Sequence, residues 1–429
     1  MKTQILSLII LFFTFQSFAQ TGQPPFQDDS LKAGLKTVPI QFTFLTPPIS
    51  TNGIYFYKTI NDVSLNIFVG VGAASNYLEL GSFLNINRFY SNGVQLAGFG
   101  NISGFDRDAY KFGSKGVQLS GFFNLNGNDY TGLQAAGFIN VNKDFNGLQA
   151  SGFMNVDKDV ENSLQIAGFA NVDRRAENSY QVAGFANIAK KGTNRVQAAG
   201  FLNVSENIGG VQAAGFSNVA RDVEGAQISG FINVARNVKG TQIAGFINIC
   251  DSIEGIPIGF INIVRKNGYR NFEISTSEWS PVQITYRMGV EKFYNIYTLS
   301  KLAGGWDRFA FGFGVGHNHS IFDKTDLNIE LVHHQEFVIR PNFITFYPLR
   351  ENSISQLKIG VRRNIFNNVW VNAGPTFNLA LAYNPVSSTT DYGVDLQPYL
   401  WKATEKVYTR YPNWNYRFWV GFSAGISFN

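Results

Sequence analysis

The side chains in this sequence best suited to chemistry lie close together. All four histidines, His317, His319, His333 and His334, fall within eighteen residues. Imidazole in its neutral form is the commonest side-chain ligand for a transition metal. His317 and His319 are two positions apart, so on an extended strand they share a face. The run Asp323-Lys324-Thr325-Asp326 reads as a turn that folds Leu327 to Val338 back as the partner strand. In one register Glu330 and His334 join His317 and His319. In the neighbouring register His333 does instead, because a one-residue slip moves every side chain to the other face. The metal reading therefore names His317, His319, Glu330 and His334. The competing reading makes them polar residues of a barrel lumen or rim, and it is favoured because no cysteine ligand accompanies them. No metal and no cofactor are expected.

Nucleophilic chemistry has little to work with. Ser320 lies near His317, His319 and Asp323, but a serine, a histidine and an aspartate in one loop is a common coincidence. No Gly-Lys-Ser/Thr phosphate loop is present. The one cysteine, Cys250, has no partner for an intramolecular disulfide. No catalytic residue is assigned, and a non-enzymatic role is expected.

The elements that would carry these residues are strands. From about residue 270, apolar residues alternate with small or polar ones. Val282, Ile284, Tyr286, Met288 and Val290 share one face, as do Phe309, Phe311, Phe313 and Val315. In the last segment the even positions from Tyr416 to Phe428 are apolar and the odd ones mostly small or polar. Such segments suit a small antiparallel barrel with apolar residues outward. The final strand resembles the closing strand of bacterial outer-membrane barrels, with Asn429 one residue beyond the terminal aromatic.

Ahead of them a short phrase recurs eleven times: Gln, two residues, Gly-Phe, one residue, Asn. It runs from Val94 to Ile263, and after a longer first gap the step is 14 to 16 residues. The ladder positions include Phe138 and Asn140, Phe153 and Asn155, Phe169 and Asn171, Phe185 and Asn187, and Phe201 and Asn203. Two architectures fit. In a β-solenoid each unit is one coil and identical residues stack in parallel register, with Asn and Gln ladders along the stack. In a continuous β-barrel each unit is one strand of a meander. The linkers are all short and charged, whereas the two rims of a barrel differ, so the solenoid is preferred. The glycine before each Phe is read as a corner with a backbone conformation barred to other residues. The Phe ladder is read as core in preference to an exposed ribbon binding sugars or peptides. An apolar residue often sits inside the linker, as at Phe145, Val160, Ile208, Val223, Val238 and Ile253.

The expected organisation is thus all-β: residues 1–19 a signal peptide, 20–93 a leader and N-terminal strands, 94–264 the repeat array, and 270–429 an antiparallel barrel-like domain. Aromatics and charged residues each make up 15% of the chain and the net charge is +5. No block of five or more basic residues exists, which excludes a nucleic-acid partner.

Repeats of the form Gly-Val-Gln-Ala-Ala-Gly-Phe-x-Asn-Val, as in Gly210 to Val219, resemble those of the bacterial surface repeat-containing protein family. The likeness covers roughly residues 40 to 300 and includes a lead-in at Val63 to Ile67 and an exit at Asn267 to Tyr269. It implies a secreted or surface protein and no particular reaction. The expected role is therefore a cell-envelope surface protein, structural or adhesive. Its expected partners are outer-membrane lipid and an extracellular glycan or protein ligand. An outer-membrane pore is the alternative, and an envelope metalloenzyme a remote one.

Overall fold

The computed structural model describes residues 34–47, 49–106, 108–109, 112–303, 308–340, 343–345, 352–384, 401–405 and 413–428. The signal peptide expected at 1–19 and most of the leader lie outside them. The chain is nearly all β, a parallel β-solenoid of about 12 turns followed by a closed eight-strand antiparallel barrel. It divides into two compact units, Met1–Arg175 and Ala176–Asn429.

In the first unit the coils begin at Lys36, well ahead of the recognisable repeats. Lys36–Leu45 pairs in parallel with the start of Thr59–Gly81, and Thr59–Gly81 with Leu84–Ala97, where Glu79 lies beside Gln95. Further along, Phe123–Ala136 pairs with Ile139–Ser151, placing Asn124 beside Asn140 and Gln134 beside Gln149. A coil of about fifteen residues returns the chain to the same place one strand spacing on, so like residues meet like. The meander alternative for the repeats is overturned by this parallel pairing.

The second unit opens with the same construction. Leu202–Ala214 is followed by Ser217–Val219, Asp222–Val223 and Ala226–Ser229, and each pairs in parallel with its counterpart a coil away. Each such coil thus has three short strands. The linker residues Ile208, Val223, Val238 and Ile253 are buried and stack as one apolar column with Cys250 and Val264.

The barrel consists of β1 (Tyr269–Ser277), β2 (Val282–Val290), β3 (Phe293–Lys301), β4 (Arg308–Phe322), β5 (Thr325–Arg340), β6 (Asn352–Phe366), β7 (Val369–Asn384) and β8 (Asn413–Phe428). Neighbours are antiparallel, and β8 closes onto β1 with Phe428 opposite Phe272 and Ile426 opposite Ile274. The period of two sorts the wall as the sequence predicts. Val282, Ile284, Phe311, Val420, Phe422 and Ile426 point outward and are exposed, while Gln283, Thr285, Thr298, Thr376 and Ser427 are buried inside. The β2–β3 hairpin packs on the last solenoid coil, where Val290 joins the apolar column.

Candidate functional site: a polar core beneath an apolar surface

The structure places the repeated Asn and Gln inside the solenoid and the repeated Phe outside. Asn140, Asn155, Asn171, Asn187 and Asn203 are all 0% exposed, whereas Phe169, Phe185 and Phe201 are 39–41% exposed. Phe138 and Phe153 are half-buried. The expectation that the Phe ladder forms the core is therefore corrected. A carboxamide carries both donor and acceptor, so copies stacked at strand spacing satisfy one another and can be buried without penalty.

Two such ladders run side by side with opposite sense. Each Asn donates towards the C-terminus: Asn140 Nδ2 to Asn155 Oδ1 at 2.9 Å, and in the second unit Asn203 to Asn218 and Asn218 to Asn233, both at 3.0 Å. Each Gln donates the other way: Gln149 Nε2 to Gln134 Oε1 at 2.9 Å, and Gln212 to Gln197 and Gln227 to Gln212, both at 2.8 Å. Main-chain carbonyls fix the Asn orientation. Asn203 Nδ2 also donates to Ala213 O at 2.6 Å, and Asn218 Nδ2 to Ile228 O at 2.7 Å.

Carboxylates interrupt the first unit's interior. Glu79 stands in the Gln position, four residues before Phe83 as Gln95 is before Phe99. It accepts from Gln95 Nε2 at 2.9 Å, from Asn66 Nδ2 at 3.2 Å and from Asn87 Nδ2 at 2.5 Å. A carboxylate only accepts, which suits the terminus of a ladder whose donors all point towards it. Asp157 accepts from Asn142 at 2.7 Å and from Gln165 at 2.7 Å. Burial pushes Glu79 up to about 7 and Asp157 up to about 7. Asp173, one coil on, is raised well above the usual carboxylate range by burial and by its neighbour Asp157. Sequence reading missed these three, although Glu79 was visible as an acid in a glutamine slot. At the other end Pro257 replaces the glutamine, and Gln242 Oε1 is buried without a hydrogen-bond partner.

Through most of the array the glycine before Phe serves a purpose other than the predicted one. None of Gly215, Gly230 and Gly245 has positive φ; instead a Cβ on each would lie 2.1 to 2.2 Å from the glycine carbonyl oxygen of the preceding coil. The backbones approach too closely for any side chain. Left-handed glycines occur elsewhere in the coil, as at Gly132 (φ +139°) and Gly147 (φ +132°).

On the surface the phenyl rings stack face to face. Centroids are 4.8 Å apart from Phe138 to Phe153 and 5.0 Å from Phe153 to Phe169. In the second unit Phe185, Phe201, Phe216, Phe231 and Phe246 continue at 4.9–5.0 Å, within 15° of parallel. A sugar stacks on an aromatic face, and here neighbouring rings occupy the faces and leave only edges exposed.

The histidines do not converge. The β4–β5 register sets His317 opposite Ile329 and His334 opposite Gly312. His317 and His319 are consequently on the outer wall, exposed, with ring centroids 6.3 Å apart. His317 Nδ1 lies 2.9 Å from Lys292 O. Glu330 and His334 are buried on the lumen side. His333 shares the outer wall but sits opposite Phe313, four residues along from His317, about 13 Å at strand rise. Its Nδ1 lies 2.9 Å from Ser355 Oγ. The quartet His317, His319, Glu330 and His334 is thus split between two faces, and among the described residues no group of three or more His, Cys, Asp or Glu could hold a metal. Ser320 and Asp323 are exposed at the turn.

The lumen is filled. Arg287 pairs with Glu330 at 2.6 Å and Glu273 at 2.8 Å, and Tyr294 Oη donates to Glu330 at 2.9 Å. Trp279, from the β1–β2 loop, is fully buried with Trp419, Leu302, Ala310 and Ile354. Glu278 beside it accepts from Trp419 Nε1 at 2.8 Å and Asn378 Nδ2 at 2.9 Å.

No protein-family model, curated protein or solved structure matches the chain.

Proposed function

We propose that this chain is an exported, non-enzymatic outer-membrane protein whose barrel is the anchor and whose solenoid is a structural or adhesive body of the cell envelope. The observation that carries the reading is the polarity of the barrel. Outward residues such as Ile274, Ile284, Phe311, Leu331 and Phe422 are apolar and exposed, around an interior of Arg, Glu, Gln and Thr. A soluble barrel has the reverse arrangement, whereas one surrounded by hydrocarbon requires this one. β8 closes onto β1 over residues 423–428, so the first and last strands of the sheet are paired, as a barrel in lipid requires. The signal-like N-terminus, the terminal aromatic strand and the resemblance to surface repeat proteins support the same reading. The filled lumen, with Arg287 bound by two glutamates and Trp279 packed among apolar side chains, favours an anchor over an open channel.

The test is fractionation of cells producing the full chain and a truncation ending at Arg417. The full chain should remain with outer membranes after carbonate extraction and change its gel mobility on boiling. The truncation should not. Recovery of the full chain in the soluble fraction, or normal insertion of the truncation, would overturn the reading.

A further inference from the structure

The second unit's coils are inverted in the same sense as its barrel. In the coil from Ala226 to Gly240 the inward residues include Gln227, Ser229 and Asn233, all buried. The outward residues on two of its three sides are Ala226, Ile228, Phe231, Ile232 and Val234. The third side carries Arg236, Asn237 and Lys239, all exposed. Neighbouring coils repeat the division, and charges pair along that third side: Arg221 with Glu206 at 2.7 Å and Lys239 with Glu224 at 2.9 Å. Six rungs from Phe185 to Phe260 extend the apolar sides for roughly 25 Å. A soluble monomer rarely shows an uncharged apolar surface of that extent.

The stripe also runs onto the barrel wall. Phe260, the last rung, stacks on Phe313 at 5.3 Å and meets Tyr297 edge-on at 5.7 Å. Phe313 shares the outward face of β4 with the exposed Phe311, and Tyr297 shares that of β3 with the exposed Leu299.

We infer that the two apolar sides of the coils from 176 to 264 rest on the acyl chains of the same lipid layer that surrounds the barrel, with the charged third side turned to water. The coils then behave as an amphipathic helix does at a bilayer interface, on a larger scale. The inference rests on the membrane reading of the barrel. Carboxamide ladders explain how such a body keeps its polar groups paired while its exterior faces hydrocarbon.

The test is spin-label accessibility in full-length protein reconstituted in phosphatidylcholine–phosphatidylglycerol vesicles. Labels go on Phe231→Cys and Ile228→Cys in the stripe, on Lys239→Cys on the charged side, and on Phe311→Cys in the barrel wall. Native Cys250 is buried, its thiol pushed up to about 12, and stays unlabelled. The ratio of oxygen to nickel-chelate accessibility at the two stripe sites should match that at Phe311→Cys and exceed that at Lys239→Cys several-fold. Two stripe sites guard against one variant that fails to fold. If the Phe311→Cys site reads lipid and both stripe sites read water, the inference fails and the barrel reading stands. If the Phe311→Cys site reads water, both fail. Short label-to-label distances between chains at Phe231→Cys would mean that a second copy covers the stripe, which also overturns the inference.

Discussion

Asn262 donates its Nδ2 to Asn295 Oδ1 at 3.1 Å, so the final rung of the asparagine ladder belongs to the barrel. Asn295 Nδ2 in turn donates to Gly259 O at 2.5 Å and Phe260 O at 2.8 Å, capping the strand end of the last coil. Asn295→Ala removes four hydrogen bonds, these three and the donation to Tyr297 Oη at 3.4 Å, and should cost about 2–4 kcal/mol locally. Hydrogen exchange across residues 246–264 should speed up while exchange in β7 and β8 is unchanged. Asn295→Asp keeps the acceptor for Asn262 but sets a carboxylate against two carbonyls, and should not rescue protection.

The polar core inverts the usual ranking of ladder mutations. Asn233 bonds to Asn218, Asn248 and Ile243 O inside the stack. Asn233→Ala should cost about 3 kcal/mol by stranding buried partners. Phe231→Ala, at a ring 41% exposed, should cost about 1–2 kcal/mol. Urea unfolding midpoints of the two variants check the order, and a larger loss at Phe231 would contradict it.

Glycine spacing gives a sharper contrast. Gly215→Ala places a Cβ 2.1 Å from Gly200 O and must separate two coils, at about 3 kcal/mol or more. Gly209→Ala meets nothing nearer than Thr193 Cγ2 at 3.6 Å and should stay within about 1 kcal/mol of wild type. Thermal unfolding of the pair measures the difference.

Acidity should stabilise the first unit. Burial raises Glu79 from 4.5 to about 7 in the folded chain. Between those values the folded state holds a proton that the unfolded state has released, so stability increases as pH falls through about 7 and levels off below about 4.5. Asp157, also raised to about 7, acts in the same direction. The urea midpoint of the first unit should be higher at pH 5 than at pH 8. Glu79→Gln, which cannot titrate, should remove the share of that difference that Glu79 contributes.

Deleting one whole coil, residues 210–224, should keep the fold, because Asn203 would then meet Asn233 and Gln197 would meet Gln227. Cooperative unfolding of the shortened protein, with the ladder intact by amide exchange, is the expected result.

Much of this architecture was legible from the chain. The fixed interval between Gly-Phe pairs and the uniform linkers pointed to parallel coils, and the alternation from Tyr416 to Phe428 marked the closing strand. What periodicity does not say is which face is inside. Val, Leu and Phe at fixed positions suggest a hydrocarbon core, and only the self-pairing of stacked amides reverses that reading. The histidines failed for a related reason. His317 and His334 share a face only if their positions differ by one residue from the register adopted, and strand sequence alone leaves that register open. The Gly-Phe glycine was read through its φ, whereas its role depends on a neighbouring coil that local sequence does not reveal. The coil around Glu79 and Asn85 lies outside the recognisable repeats because Glu79 replaces the Gln of the motif and Ser82 the Gly before Phe83.

The opposed donor directions of the two ladders have an electrostatic consequence. An amide group carries a dipole of about 3.5 D, and a column of them aligned along one axis adds up as it does in a helix. Here the Asn column points one way and the Gln column the other, so their axial components largely cancel within each coil. Adding a coil adds almost no axial field. The stack can lengthen by whole repeats without accumulating charge at its ends, and the barrel at the C-terminal side is spared the field that a single aligned column would direct at it.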